Sequence, residues 1–591
     1  MKKFAGLILI AFLFVSAVSV DAYASNNLKA KPTASNLYLN SESIGINGFN
    51  IENSNYFKLR DLARLFLGTS SQFDVTWNSS ANAIEITTNK TYTPASGDNL
   101  IKTYDLNKTY WASPSNSKII IDGKSYQIKA YTIDNSNYFK LRDLGEIIPF
   151  DVKWDSKTNT IQVYSKVLDN TYKTKISNEL ITNALSDYYS TTFCASSKLQ
   201  YVFKNSNETL SVADVVENSL IISTYDNNFN LISEKKIPFE LPILGTFYSG
   251  KKYNYIAFGQ VNYAEDDKIE VMRIVKYDKD FNKIGSVSIK GGDSMTQIPF
   301  RLGEARMAEN SNILVLHAPH QMYKDGAGLN HQMQITIVID TDTMKVTNNI
   351  NGFQANHVSH SFDQYVLFDG EAPVFVDLGD ASPRAVCINI GRPFNSNTNF
   401  DDGGADVADY PNVRFTPDKG MFYTPVNLFE IPGRYGDNYT GVMIGGFEIS
   451  KSNYLVTLHT IDQAKFEDIN TPVQRDIMVC ILPKGQFAKD SVKKVTIAKY
   501  VDTDKTSSTP KFVKISDEKF MIIWQEYKKA GNAYKRNNLK YGFIDENGNI
   551  IGDTKELEGY ILSDCQPIII NNAVTWAVNQ KNIRTIYTIP L

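Results

Sequence analysis

Cysteine is scarce in this chain. Cys194, Cys387, Cys480 and Cys565 are the only 4 in 591 residues. Their wide spacing excludes CxxC metal knuckles and a disulfide-dense scaffold, so buried free thiols are expected. A Cys194–Cys565 bridge would join the two ends of the C-terminal region, but the sequence does not establish it. An excess of one charge is also missing. The 61 Lys and Arg stand against 64 Asp and Glu, a net charge of -3, which excludes a strongly basic nucleic-acid binder. Histidine is absent before His317. No long apolar run occurs after Val20, so no transmembrane segment is expected in the mature chain. Walker loops, GxSxG elbows and HExxH helices are missing, and those enzyme classes lose their usual support. Aromatics, by contrast, are plentiful. The 33 Tyr and 32 Phe against 5 Trp point to many half-buried strands.

The N-terminus reads as an address. Lys2 and Lys3 precede an uncharged stretch from Phe4 to Val20, and Ala22-Tyr23-Ala24 supplies small residues around a larger one. This is the three-part pattern of a secretory signal peptide, residues 1–24, cleaved near Ala24. A secreted or extracellular location follows as an expectation.

A tandem repeat comes next. Asn53–Leu62 (NSNYFKLRDL) recurs letter for letter as Asn135–Leu144. Phe73-Asp-Val-Thr-Trp77 matches Phe150-Asp-Val-Lys-Trp154, and Ala83–Ile86 matches Thr160–Val163. Each copy reads as a short strand, a helix with Leu59, Leu62, Leu65 and Phe66 on one face in the first copy, and a hairpin. In the second copy a further hairpin turns at Asp122-Gly123. Lys58, Arg60 and Asp61 read as a solvated helix-start salt bridge. The two small α+β modules span residues 36–90 and 91–166, with a linker at 167–190 holding a short helix from Leu180 to Tyr189.

The repeated Asn-Tyr-Phe-Lys-Leu-Arg-Asp-Leu core, followed by Phe-Asp-Val-x-Trp and a hairpin, resembles the copper amine oxidase N-terminal-like, or stalk, domain. The resemblance covers about a quarter of the chain. It implies an exported Gram-positive protein and a spacer or wall-association role. Copper amine oxidase activity is not implied, because the catalytic Asn-Tyr-Asp/Glu and His-x-His motifs are absent.

Residues 191–591 repeat two hairpins. An Asp-led turn recurs at Asp226, Asp278, Asp340 and Asp545, each between two apolar segments. A second hairpin runs 305–317 and returns at 447–459, 512–524 and 568–576. Two hairpins per unit give four strands, the repeat of an all-β propeller. Unit starts fall near 199, 245, 304, 358, 444, 511 and 566. Seven blades are expected, six being the alternative and an array of β-sandwiches the structural rival. The last unit is short, so the segment around Leu199 is expected to complete it.

Five of the 6 histidines fall between His317 and His360. On a strand, residues i and i+3 face opposite ways, so neither His-x-x-His chelates unless a turn intervenes, which Pro319 would supply in the first. His317 is expected to pack within a blade. A ligand site built from Arg301, Glu304, Arg306, His320, His331, His357, His360 and Arg384 is the expectation, with His320, His331 and His360 as ligands of a divalent metal. The Asp401–Asp409 loop offers carboxylates for Ca²⁺ but fails the EF-hand spacing, so a solvated loop is expected. These strings are also similar to those of exported clostridial-type proteins that join stalk domains to a propeller, a resemblance that implies no defined activity. The expected function is a secreted or cell-wall-associated, non-catalytic binding protein for a glycan, wall polymer or protein. The alternative is a metal-dependent extracellular polysaccharide lyase or hydrolase using the His317–His360 cluster.

Overall fold

The computed structural model describes residues 27–591 apart from 40–41, 47, 68, 70, 89, 95–103, 149, 156–158, 165–170, 176–179, 392–422, 466–472 and 581–582. The signal-peptide segment 1–24 and the 401–409 loop therefore lie outside the described residues. The protein is nearly all β, and its contacts divide it into one unit up to Asp169 and a second from Asn170. No helix among the described residues is long and apolar enough to cross a membrane.

In the first unit the sequence repeat becomes one body. The repeated strands Ser54–Lys58 and Ser136–Lys140 pair antiparallel with Phe57 opposite Phe139. They sit at the centre of a closed six-stranded barrel with Leu28–Pro32, Gly48–Ile51, Ala130–Ile133 and Tyr110–Pro114. Each repeated strand runs into a short helix, Leu59–Leu65 or Leu141–Gly145. The hairpin strand Ala83–Thr88 of the first copy pairs parallel with Lys118–Ile121 of the second. Reciprocally, Thr160–Tyr164 pairs parallel with Asn36–Leu39. The division at residue 90 is thus corrected: the copies exchange strands and share one core. Phe57, Leu62, Phe66 and Phe73 pack with Phe139, Leu144, Phe150 and Val163, and the rings of Phe66 and Phe150 lie 4.7 Å apart. Lys58 and Asp61 lie 3.9 Å apart as an ion pair, but Asp61 is buried where a solvated pair was expected.

Among its described residues the second unit contains seven antiparallel sheets of four or five strands, taken in chain order. The innermost strands of the first six are Gln200–Lys204, Ile243–Ser249, Arg306–Asn310, Ser361–Asp369, Val442–Ile449 and Lys511–Lys514. Each lies against its neighbours in the series. Small residues let them approach: a Cβ on Gly446 would stand 2.6 Å from the Phe512 Cβ. The seventh sheet consists of Ile568–Ile570, Ala573–Gln580, Ile583–Pro590 and Thr171–Lys175. So the segment around Leu199 does not complete the last sheet. It opens the first, and a strand hidden in the polar linker does the closing, with Tyr172 opposite Ile586. The closure is locked by Arg584, fully buried in the last sheet. It pairs with Asp214 of the first sheet and donates to the Tyr225 hydroxyl at 2.7 Å and to Asn579 at 3.1 Å.

The expected helix from Leu180 to Tyr189 is absent. Here polar side chains bond to the sheets instead of supporting a local turn. Asn183 donates to Gln200 at 2.7 Å and accepts from the Asn579 N–H at 2.7 Å.

Candidate functional site

The segment from Leu180 to Leu199 crosses from the seventh sheet to the first by way of other sheets. The N–H of Leu185 donates to Leu562 at 2.8 Å, that of Tyr189 to Tyr534 at 2.9 Å, and that of Ala195 to Phe362 at 2.8 Å. The Phe193 ring packs on Phe362 at 5.2 Å and on Tyr439 at 6.1 Å. The strap ends at Lys198, whose ammonium reaches Glu304 at 2.9 Å. Together the strap and the innermost strands enclose a cavity of about 570 Å³, within the range of sites for small ligands.

Its charge comes from several sheets. Glu304 accepts from Lys198 and, at 2.9 Å, from Arg306. Arg306 also reaches Asp363 at 2.8 Å and the Gln364 carbonyl, while its guanidinium lies 3.4 Å from the centre of the Tyr365 ring. Burial works to raise the Glu304 carboxyl, but Arg306 and Lys198 overcome it and hold it below the usual range. Burial lifts Asp363 to about 6, with Arg306 holding it back. Lys511 donates to the Asp564 carbonyl at 2.7 Å. Burial, reinforced by the charge of Lys198, pushes Lys511 down to about 8. Elsewhere on the wall burial lifts Glu448 to about 7. Tyr201, Tyr248 and Tyr365 supply aromatic surface, and Ser508 and Thr509 supply hydroxyls.

Of the residues expected from the sequence, Glu304 and Arg306 meet in this cavity and the others do not line it. Arg301 is exposed at the surface. Strand Ile313–Lys324 runs through Pro319 without a turn, so His317 and His320 part to opposite faces. His317 is fully buried, as its packing role required. It bonds through Nδ1 to the Thr336 hydroxyl at 2.9 Å and through Nε2 to Asp377 at 3.1 Å. Ser361 completes the group by donating to Asp377 at 2.7 Å. His320 bonds through Nδ1 to Thr296 at 2.7 Å, and burial drives it to about 3. His357 packs against the Phe353 ring at 4.5 Å and is driven by burial to about 4. His331 pairs with Asp325 at 2.9 Å, and His360 lies 3.5 Å from Asp380. Arg384 is held by Asp380 and by the carbonyls of Pro432, at 2.9 Å, and Tyr439, at 2.7 Å.

The three-histidine metal site is therefore corrected. His320, His331 and His360 each serve a different local partner. Among the described residues no three His, Cys, Asp or Glu side chains are grouped to hold a metal ion. The four cysteines are free thiols, so Cys194 and Cys565 are not bridged.

Sequence reasoning missed Lys198, Asp363, Tyr365, Lys511 and Asp564. A signal existed: each stands near the start of a repeat unit, the same place as Glu304 and Arg306 in theirs.

No protein-family model matches the chain, and no curated protein matches it. Solved structures show a distant likeness. One is a subtype N10 neuraminidase-like protein of A/little yellow-shouldered bat/Guatemala, at 10% identity over 64% of this chain and 97% of that one, TM-score 0.32. Another is a prolyl endopeptidase, at 13% identity and TM-score 0.35, where the match spans 66% of this chain and 48% of that one. A third is a member of the DUF4221 family from Bacteroides vulgatus, at 10% identity over 71% and 98% of the two chains, TM-score 0.31. Scores this low decide nothing about activity.

Proposed function

We propose that this is a secreted or cell-wall-associated binding protein in which two stalk-type modules present a seven-bladed propeller, and that the central cavity of the propeller holds a saccharide without transforming it. The observation that carries the reading is the cavity itself. Six innermost strands and the strap converge on it, and its wall alternates aromatic rings with charged and hydroxyl groups. Rings stack on the apolar faces of a sugar while paired charges meet its hydroxyls, the usual division of labour in a pocket of this size. The signal-peptide pattern and the stalk resemblance support an extracellular setting.

Calorimetric titration of the mature chain with a panel of mono- and disaccharides and with solubilised wall polymer tests the reading. Saturable binding by at least one saccharide is expected, and it should weaken in Tyr365→Ala. Failure of every saccharide and wall fraction to bind, or binding that Tyr365→Ala leaves untouched, overturns it. Turnover of a bound sugar would overturn the non-catalytic part alone.

A further inference from the structure

Of the cavity cations Lys198, Arg306 and Lys511, the first two are in contact with carboxylates. The Glu304 carboxylate is shared by Lys198 and Arg306, and Asp363 by Arg306. The Asp564 carboxylate accepts from the Asn183 amide at 3.2 Å and from the Leu199 N–H at 3.3 Å. Lys511 is different. Its ammonium donates to a carbonyl, that of Asp564, and among the described residues no carboxylate comes within ion-pair distance of it. An ammonium has three donors, and one is used. A buried cation with no carboxylate in contact keeps part of its desolvation cost, and an anion brought beside it relieves that cost. Burial and the charge of Lys198 lower Lys511, and the more distant charges of Asp564 and Glu304 offset them only in part.

We infer that the ligand of this cavity is an acidic saccharide, and that Lys511 anchors its carboxylate. The inference rests on the saccharide reading above and narrows it. A carboxylate fits better than a phosphate. The Arg306 fork is already spent on Glu304, Asp363 and the Gln364 carbonyl, which leaves one ammonium rather than a cluster of donors. The remaining wall suits the sugar ring: Tyr201 and Tyr365 supply rings, and the hydroxyls of Ser508 and Thr509 precede Lys511. A purely structural Lys511 would also tie strand Lys511–Lys514 to the segment before the seventh sheet, but it would not distinguish an acidic sugar from a neutral one.

The test uses the mature chain with galacturonate and galactose as probes. Affinity is read by calorimetry. Access to Lys511 is read by acetylation with acetic anhydride and peptide mass spectrometry. Galacturonate is expected to bind roughly tenfold more tightly than galactose, a difference of about 1.4 kcal/mol, and to protect Lys511 from acetylation. Lys511→Met should abolish that preference, and Lys511→Arg should keep part of it. Should Lys511→Met fail to fold, wild-type protection and the Lys511→Arg titration still decide. Equal binding of both sugars, or galacturonate binding without protection of Lys511, overturns the acidic-ligand inference and leaves the saccharide reading standing. If neither probe binds and the wider panel also fails, both fall together.

Discussion

Arg306 carries more of the cavity's charge balance than any other side chain. It is the shared partner of Glu304 and Asp363, so its removal leaves Asp363 without a cation and Glu304 with Lys198 alone. Arg306→Met is expected to cost about 3–5 kcal/mol, the usual penalty for breaking a buried pair from one side. A lowered urea midpoint with unchanged slope would show it. A midpoint that does not move would mean the carboxylates find other partners. Acid sensitivity belongs to the same scale. His320 is held neutral by burial down to about 3, far below its unfolded value near 6.5. Its contribution is therefore intact above about pH 6.5 and falls as pH drops toward the folded value, by about 1.4 kcal/mol per pH unit. Asp363 and Glu448, raised by burial to about 6 and about 7, act in the opposite sense. The comparison with His320→Gln isolates the histidine: between pH 6.5 and pH 5 the variant should lose about 2 kcal/mol less than the wild type. Parallel curves for the two proteins would refute this.

At the scale of elements, local rules served well where bonding is local. The turns at Asp226, Asp278 and Asp545 were legible because each builds itself. In all three the aspartate accepts the N–H groups two and four residues on and the side-chain amide of the latter. The strand-helix core of the repeat was equally plain, since Leu59 and Leu62 keep helical spacing beside alternating Phe73 and Val75. The pairing of the two copies was not legible, because repetition shows that two units are alike and not which strand each one pairs with. The exchange has a consequence. A fragment of residues 27–94 leaves Ala83–Thr88 without its parallel partner and Phe57 without Phe139, so it should stay unfolded by circular dichroism. The fragment 27–164 should fold cooperatively. A folded 27–94 fragment would show that the modules are independent after all.

For the whole molecule, closure is the decisive feature. The last sheet is finished by Thr171–Lys175, drawn from the other end of the second unit, and sealed by the buried Arg584 network. The Tyr172 ring adds a contact with Phe229 of the first sheet at 4.5 Å. Tyr172→Pro together with Lys173→Pro should unpair this strand and cost about 3 kcal/mol, from ladder hydrogen bonds worth about 1 kcal/mol each and the lost ring contact. Amide hydrogen exchange in Ile583–Pro590 should accelerate while the third to fifth sheets stay protected. Uniform protection across all sheets would mean that the strand contributes nothing to closure.

The amino-acid sequence by itself determined what depends on neighbours in the chain: the repeat, the strand periodicity, the Asp-led turns and the starts of the four-stranded units, because those patterns are fixed by spacing. It also singled out Glu304 and Arg306, which line one cavity. The histidines misled, since clustering along the chain does not specify direction, and alternation on one strand sent His317 and His320 to opposite faces. Only the tertiary structure could decide which distant segments meet. It set Lys198, Asp363 and Lys511 around one cavity, closed the last sheet with a strand from the linker, and gave each histidine a separate partner. Those outcomes depend on burial and on contacts across hundreds of residues, and no local pattern encodes either.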